Sequence, residues 1–191
     1  ELRGDHIHYA SRIAQNFIRS WVEEFGLDEK TVMAVLDWAE HMVVGKCRVM
    51  TEHTERALRY FSVLGNGLIT RNKNGEIEKT MVIAFSLCMD HSAFSTAYTV
   101  QKTFLHPEVR DGIMKGKTTL HAFHDNAKHF KCAEYITYLL DTILGDFPNL
   151  LTSIVHFFAE KHGKDFADLL FSLLSEIQKW LDKTEEGTKL L

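Results

Sequence analysis

The most restrictive feature of this sequence is an apolar stretch between Lys79 and His106, TMVIAFSLCMDHSAFSTAYTVQKTFL. Wound into a helix, it is apolar nearly all round, which is typical of a helix buried on every side. His106 precedes Pro107, and the residue before a proline is pushed out of the α region, so the helix ends there. We predict a long buried central helix over about 80–104.

Helical periodicity also dominates most of the remaining chain. Apolar residues recur at spacings of three and four, Asp28 and Pro148 are suited to helix starts, and Gly26 and Gly145 to helix ends. We therefore predict an all-α fold, a single-domain bundle of seven to eight helices. The predicted helices cover residues 7–25, 28–43, 51–64, 80–104, 118–130, 133–144, 148–161 and 165–181.

One segment departs from this helical pattern. GLITRNKNGEIEK alternates short apolar runs on both sides of Asn74-Gly75, and Asn-Gly is the strongest short hairpin signal. We predict a small β-hairpin or loop at 67–78. Residues 1–191 read as one domain, because a chain of this length forms a single core, and the polar tail 182–191 is expected to fray.

Charge and cysteine usage narrow the function classes. The net charge of −4 comes from 22 basic and 26 acidic residues without a basic stripe, so we expect no nucleic-acid partner. Cys47, Cys88 and Cys132 show neither finger nor CxxC spacing, which favours reduced thiols and a cytoplasmic location. The apolar run at 150–159 is half of what a bilayer crossing needs, so we expect no membrane span.

A histidine-rich segment, HAFHDNAKHF at 121–130, is the main candidate site. In a helix, His124 points toward the apolar stripe, whereas His121 and His129 lie off it. The commoner explanation is that His124 is a packed core residue with a hydrogen-bond partner. The alternative is metal binding, since His121 with Asp125 and Asp125 with His129 are i,i+4 pairs that can reach one ion.

The dipeptide His124-Asp125 within LHAFHDNAK resembles the signature of the HD-domain metal-dependent phosphohydrolases, which are all-helical. His91-Ser92 matches the first histidine of that family, and Asp168 in FADLL can supply its last aspartate. The resemblance implies a divalent-metal site made by His91, His124, Asp125 and Asp168. It further implies a metal-activated water that attacks a phosphoester.

A second resemblance involves AFHDNAKHF together with KHGKDF at 161–166. These segments are similar, in order and helical context, to the vertebrate globin pattern. Because no histidine stands between about 134 and 144, this resemblance implies a globin-like fold without the usual haem ligation.

These observations favour a function that depends on binding and not on chemistry. DGIMKGKTT at 111–119 is not a phosphate loop, because Gly112 and Gly116 enclose three residues where that loop needs four, so Lys115 and Lys117 are expected in solvent. Without a complete catalytic set, we predict a helical protein-interaction or regulatory domain. It would bind a protein partner or a second copy through a groove between helices, with no cofactor.

Overall fold

A computed structural model of the chain contains a five-stranded mixed sheet with helices packed on it. It describes residues 20, 22–23, 26–44, 59–87, 90–124, 127–157, 171 and 175–176. The prediction of an all-α bundle of seven to eight helices is therefore wrong. The predicted tail at 182–191 lies outside the described residues.

The sheet has the order β3-β2-β1-β4-β5. β1, β2 and β3 are antiparallel neighbours, whereas β4 is parallel to β1 and β5 is parallel to β4. Along the chain the elements are β1 (Thr31–Val44), β2 (Arg59–Arg71), β3 (Ile77–Ser86), α1 (Ala93–Phe104), a π-helical segment (Glu108–Ile113), β4 (Thr119–His124), α2 (Ala133–Asp146) and β5 (Thr152–Phe157).

The central strand β1 is buried on both faces from Thr31 to Leu36. Val32, Ala34 and Leu36 belong to the larger core together with α1 and α2, and we call this side of the sheet the helix face. Met33 and Val35 point to the opposite face, where they pack in a second core cluster. A strand buried on both sides reads as an apolar run without alternation, which explains why 28–43 resembled a helix.

The stretch predicted as one central helix is divided between a strand and a helix. Residues 77–86 form the edge strand β3, and the helix α1 begins only at Ala93. Ser92 caps α1 by accepting a hydrogen bond from the Ser95 backbone N–H at 3.3 Å. Phe85 and Leu87, which lie inside the predicted helix, are 58% and 74% exposed. The prediction failed because edge-strand pairing and this cap outweigh the continuous apolar pattern.

The turn between β2 and β3 lies where the Asn74-Gly75 signal places it. The Asn72 Oδ1 atom accepts backbone N–H groups from Asn74 and Glu76, both at 2.9 Å, and Gly75 has a φ of +82°. The predicted small hairpin at 67–78 is nevertheless wrong in extent. The two strands together cover 59–71 and 77–86.

The helices α1 and α2 pack side by side on the helix face. The Tyr138 hydroxyl donates to Gln101 Oε1 at 2.6 Å, and Gln101 Nε2 donates to Asp146 Oδ2 at 2.7 Å. The helix predicted over 133–144 corresponds to α2, but those predicted over 118–130 and 148–161 contain β4 and β5. Over the residues that the structure describes, no helix is long and apolar enough to cross a membrane.

Candidate active site

One row of paired residues crosses the three parallel strands. Leu36 of β1 pairs with His124 of β4, and His124 pairs with Phe157 of β5. In the sequence, Asp37 follows Leu36, Asp125 follows His124, and Glu160 comes three residues after Phe157. A carboxylate thus comes one to three residues after each member of this row in the sequence. Asp37 lies within β1, which continues to Val44, whereas Asp125 and Glu160 come after the ends of β4 and β5. Asp125 and Glu160 themselves lie outside the described residues.

The order of the strands in the sheet also indicates a ligand site near this row. The chain builds β1, β2 and β3 toward one side and then crosses to add β4 and β5 on the other, so the strand order reverses between β1 and β4. In open α/β sheets, ligands bind beyond the carboxyl ends of the strands at such a reversal. The carboxyl end of β4 is where His124 is followed by Asp125. We call this region the carboxyl edge.

Asp37 is the described carboxylate of this row. It pairs across the sheet with Gly65 of β2, and its side chain is partly exposed. Because side chains alternate along a strand, Asp37 lies on the same side as Met33 and Val35, away from α1 and α2. Asp37 was missed in the sequence, because residues 28–43 were interpreted as a helix.

His124 lies in the apolar core at the end of β4. Its side chain is fully buried, stacked on Phe130 with ring centroids 4.7 Å apart and edge-on to Tyr135 at 5.2 Å. Burial, followed by the charges of His129 and His156, lowers the pKa of His124 from 6.5 to about 3. His124 is therefore a neutral imidazole.

The prediction that His124 is a hydrogen-bonded core residue is wrong in one respect. Within the described part of the chain, neither ring nitrogen has a hydrogen-bond partner, and the buried Tyr135 hydroxyl has none either. Burial also raises the pKa of the Tyr135 hydroxyl well above its usual value, so this group stays protonated. Two polar side chains are thus buried together without a hydrogen bond from any described residue, which costs stability.

His91 occupies a different environment from His124. Its ring stacks on Trp38 at 4.3 Å, and its Nε2 atom lies 2.9 Å from the Ser62 hydroxyl oxygen. The centre of the His129 ring lies 6.1 Å from that of His91. His91 and His129 therefore come together beside Trp38, the residue after Asp37.

The metal set implied by the HD-domain resemblance is not assembled from the described residues. Of its four members, Asp125 and Asp168 lie outside the described residues, and His91 and His124 have the separate surroundings given above. Among the residues whose placement is described, no group of three or more His, Cys, Asp or Glu side chains is arranged to hold a metal. A mixed sheet also contradicts both the HD-domain and the globin-like interpretations, because both imply all-helical folds.

A histidine pair on the opposite face was also missed. His121 Nδ1 of β4 lies 2.9 Å from His156 Nε2 of β5, and the two rings stack at 5.1 Å. Burial lowers the pKa of both rings, and the charge of His121 adds to the effect on His156. The sequence placed His121 at the surface of a helix, whereas strand alternation turns it toward the second core cluster, where it is buried.

Within the segment 111–119, which is not a phosphate loop, Lys117 has a structural role. This lysine is only 8% exposed, and its Nζ donates to the Glu29 carbonyl oxygen at 2.7 Å. Burial lowers the pKa of Lys117. The prediction that Lys117 lies in solvent is wrong, whereas Lys115 is exposed.

Comparison with known proteins finds no matching family model and no matching curated protein. Among solved structures, the catalytic domain of the Mos1 mariner transposase is similar with a TM-score of 0.39 and 11% identity, over 92% of this chain and 78% of that chain. The Mos1 transposase paired-end complex with the left transposon end is similar with a TM-score of 0.39 and 12% identity, over 91% of this chain and 52% of that chain. The Mos1 strand transfer complex is similar with a TM-score of 0.38 and 12% identity, over 90% of this chain and 49% of that chain.

This chain thus spans about half the length of the transposase chains in those two complexes. TM-scores below 0.5 at such identities do not establish a shared fold or activity. The predicted helical interaction domain with a groove between helices is nevertheless wrong, because α1 and α2 cover a sheet.

Proposed function

We propose that this protein is a divalent-metal-dependent enzyme that cleaves or transfers phosphodiester bonds in nucleic acid. Its metal ligands are Asp37, Asp125 and Glu160. The observation that supports the proposal is the row Leu36–His124–Phe157, because each of its three parallel strands has one of these carboxylates one to three residues beyond the row in the sequence. A strand-order reversal at the same edge is the usual location of a ligand site in such sheets.

The chemistry of this donor set fits Mg²⁺ or Mn²⁺. Both are hard cations that prefer carboxylate and water oxygens, and magnesium keeps several waters for exchange with substrate oxygens. When bound, such ions activate a water and stabilise the attacking and leaving oxygens of an in-line displacement at phosphorus. Asp37 holds its carboxylate on the central strand, where its own pairing with Gly65 of β2 and the pairing of the preceding Leu36 with His124 of β4 fix the backbone.

Local charge supports a phosphodiester backbone as the substrate. The segment 127–133, which follows Asp125, contains Lys128, His129 and Lys131 and no acidic residue. Lys128 and Lys131 are exposed. The expectation of no nucleic-acid partner rested on the missing basic stripe along the whole chain, but bound metal ions and a short basic segment supply positive charge where it is needed.

A matched pair of variants tests this function. Asp37→Asn removes the carboxylate at the carboxyl edge, and Asp141→Asn removes an exposed carboxylate on α2 as the control. We expect the parent to cleave DNA only with Mn²⁺ or Mg²⁺ and to leave a phosphomonoester intact. Asp37→Asn should lower the rate by more than about 100-fold, since a metal ligand matters at least as much as its outer-shell partners.

Asp125→Asn and Glu160→Gln should lose cleavage in the same way. Thermal unfolding gives a second readout, because a metal that binds the folded state raises its melting temperature. Cleavage that persists in EDTA, or equal rates for the Asp37 and Asp141 variants, would remove the basis of the proposal.

A cytoplasmic location remains part of the proposal, supported by the free thiol of Cys132.

A further inference from the structure

A cavity of about 370 Å³ lies at the end of β4 and β5 that is opposite the carboxyl edge. Its walls come from the π-helical segment, the turn before β4 and the segment between α2 and β5. The six residues of β4 separate it from the carboxyl edge by about 16 Å, at about 3.3 Å per residue. We call it the amino-edge cavity, and a ligand in it does not reach the proposed metal site.

The turn before β4 places two lysines beside this cavity. The Lys117 backbone N–H donates to the Met114 carbonyl oxygen at 3.1 Å, which closes a tight turn over 114–117. Gly116, the third residue of this turn, has a φ of +75°, a conformation that residues with a side chain disfavour. The sequence Lys-Gly-Lys therefore folds into a turn in which Lys115 and Lys117 both line the cavity.

The cations of this cavity keep hydrogen-bond donors that no described residue uses. Arg110 donates from Nε and Nη2 to the Asp111 carboxylate, both at 2.8 Å, which leaves its Nη1 group for another acceptor. Lys117 is 8% exposed, and the Glu29 carbonyl oxygen accepts one of its three N–H donors. Lys115 is exposed and forms no ion pair within the described part of the chain. An oxyanion in the cavity would therefore find donors already in place.

The charge of the lining favours a monovalent anion. Three cations, Arg110, Lys115 and Lys117, stand against two carboxylates, Asp111 and Asp146, so the lining carries one excess positive charge. A single negative charge balances this excess, whereas a phosphate dianion or a polyphosphate would be repelled by the two carboxylates. A carboxylate is a monovalent oxyanion that lysine and arginine hold by charge-assisted hydrogen bonds.

The remaining walls of the cavity are apolar. Met114, Phe147 and Leu150 are buried in the main core and line the cavity together with Pro148. Ligand pockets combine such walls with a few polar groups, and their volumes begin at about 300 Å³. The amino-edge cavity is therefore suited to a small molecule that is apolar at one end and anionic at the other.

We propose that the amino-edge cavity binds a small organic molecule with an apolar body and a single carboxylate. The body packs on Phe147 and Leu150, and the carboxylate accepts hydrogen bonds from Lys115, Lys117 and Arg110. This binding requires neither a metal ion nor a nucleic acid, so it does not depend on the proposed function.

Isothermal titration calorimetry with 1-naphthoate in EDTA tests this site. Two fused rings with one carboxylate should bind with a dissociation constant of about 1 mM or below. Lys115→Gln should weaken the affinity by about 10-fold, as loss of one hydrogen bond to a charged group does. Lys102→Gln, which changes an exposed lysine on α1, is the matched control and should bind as the parent does.

Three further probes separate the charge from the apolar body. 1-Naphthalenemethanol keeps the rings without the charge, and acetate keeps the carboxylate without the rings. Each should bind at least about 10-fold more weakly than 1-naphthoate, because each loses one of the two kinds of contact. 1-Naphthyl phosphate, a dianion at pH 8, should also bind more weakly than 1-naphthoate. Tighter binding of the phosphate would show that the carboxylate is the wrong ligand class.

Nuclear magnetic resonance locates the ligand. Titration with 1-naphthoate should shift the backbone amide signals of Gly116, Lys117 and Leu150 and leave those of Asp37 and His124 in place. Shifts at the carboxyl edge instead would overturn the proposal. So would equal affinities of the parent and Lys115→Gln, or an absence of binding by the parent.

Discussion

Acidification should destabilise this protein through His124, and a single substitution should remove the effect. Because burial lowers the pKa of this imidazole to about 3 against 6.5 for the free side chain, the unfolded chain binds a proton that the folded chain excludes. The contribution of His124 to stability is complete above pH 6.5 and is lost progressively as the pH falls toward 3. Between pH 7 and pH 5 the expected loss is about 2 kcal/mol, at about 1.4 kcal/mol per pH unit.

His124→Leu replaces the ring by an apolar side chain of similar volume between Phe130 and Tyr135. At pH 7 the variant should be at least as stable as the parent, because two ring nitrogens without a hydrogen-bond partner among the described residues leave the core. Urea unfolding at pH 7, 6 and 5 measures the difference. The parent should lose about 2 kcal/mol more than the variant over this range. His121 and His156 remain in both proteins, so the effect of their lowered pKa values cancels.

The matched control is His106→Leu, which changes an exposed histidine. It should lose stability with falling pH as the parent does. Equal losses in the parent and the His124 variant would show that His124 is not a neutral, unbonded ring in the folded protein, because it would then have a proton or a polar partner.

Two further predictions concern the fold. Gly75→Ala should destabilise the protein by about 1 kcal/mol in urea unfolding, since φ is +82° there. Gly112→Ala, in the π-helical segment with nothing within 4 Å of the new Cβ, should instead stabilise it by about 0.5 kcal/mol. Phe104→Ala should lower the free energy of unfolding by about 3–5 kcal/mol because that side chain is 1% exposed. Phe85→Ala, on the exposed edge strand, should change the free energy of unfolding by no more than about 0.5 kcal/mol. The reverse order would contradict the assignment of the core.

How far the sequence could predict this fold depends on which interactions stabilise each element. The turn at Asn74-Gly75 and the helix α2 depend on local signals, a glycine at positive φ and a 3.6-residue apolar period, and both were found at their places. β1 and β4 depend on pairing with strands far along the chain, with Val32 beside both Thr70 and Leu120. Such partners leave no periodic trace when both faces of the strand are buried.

The residues of the candidate site also come together through pairing between strands that are distant in sequence. His124 and Asp125 attracted attention as a dipeptide, but the HD-domain resemblance grouped them with His91 and Asp168 instead of with Asp37. Strand alternation and the pairing of Leu36 with His124 are what relate Asp37 to this segment. With β1 and β4 taken as helices, no spacing argument could connect residues so far apart in sequence.

The most direct test of the proposed function is an anomalous difference map from a crystal soaked in Mn²⁺. We expect a peak at coordination distance, about 2.0–2.4 Å, from the Asp37 carboxylate, with Asp125 among the other ligands. The Asp37→Asn crystal should lose or weaken that peak. A parent crystal with no peak beside Asp37, or with its manganese at His121 and His156 instead, would contradict the account.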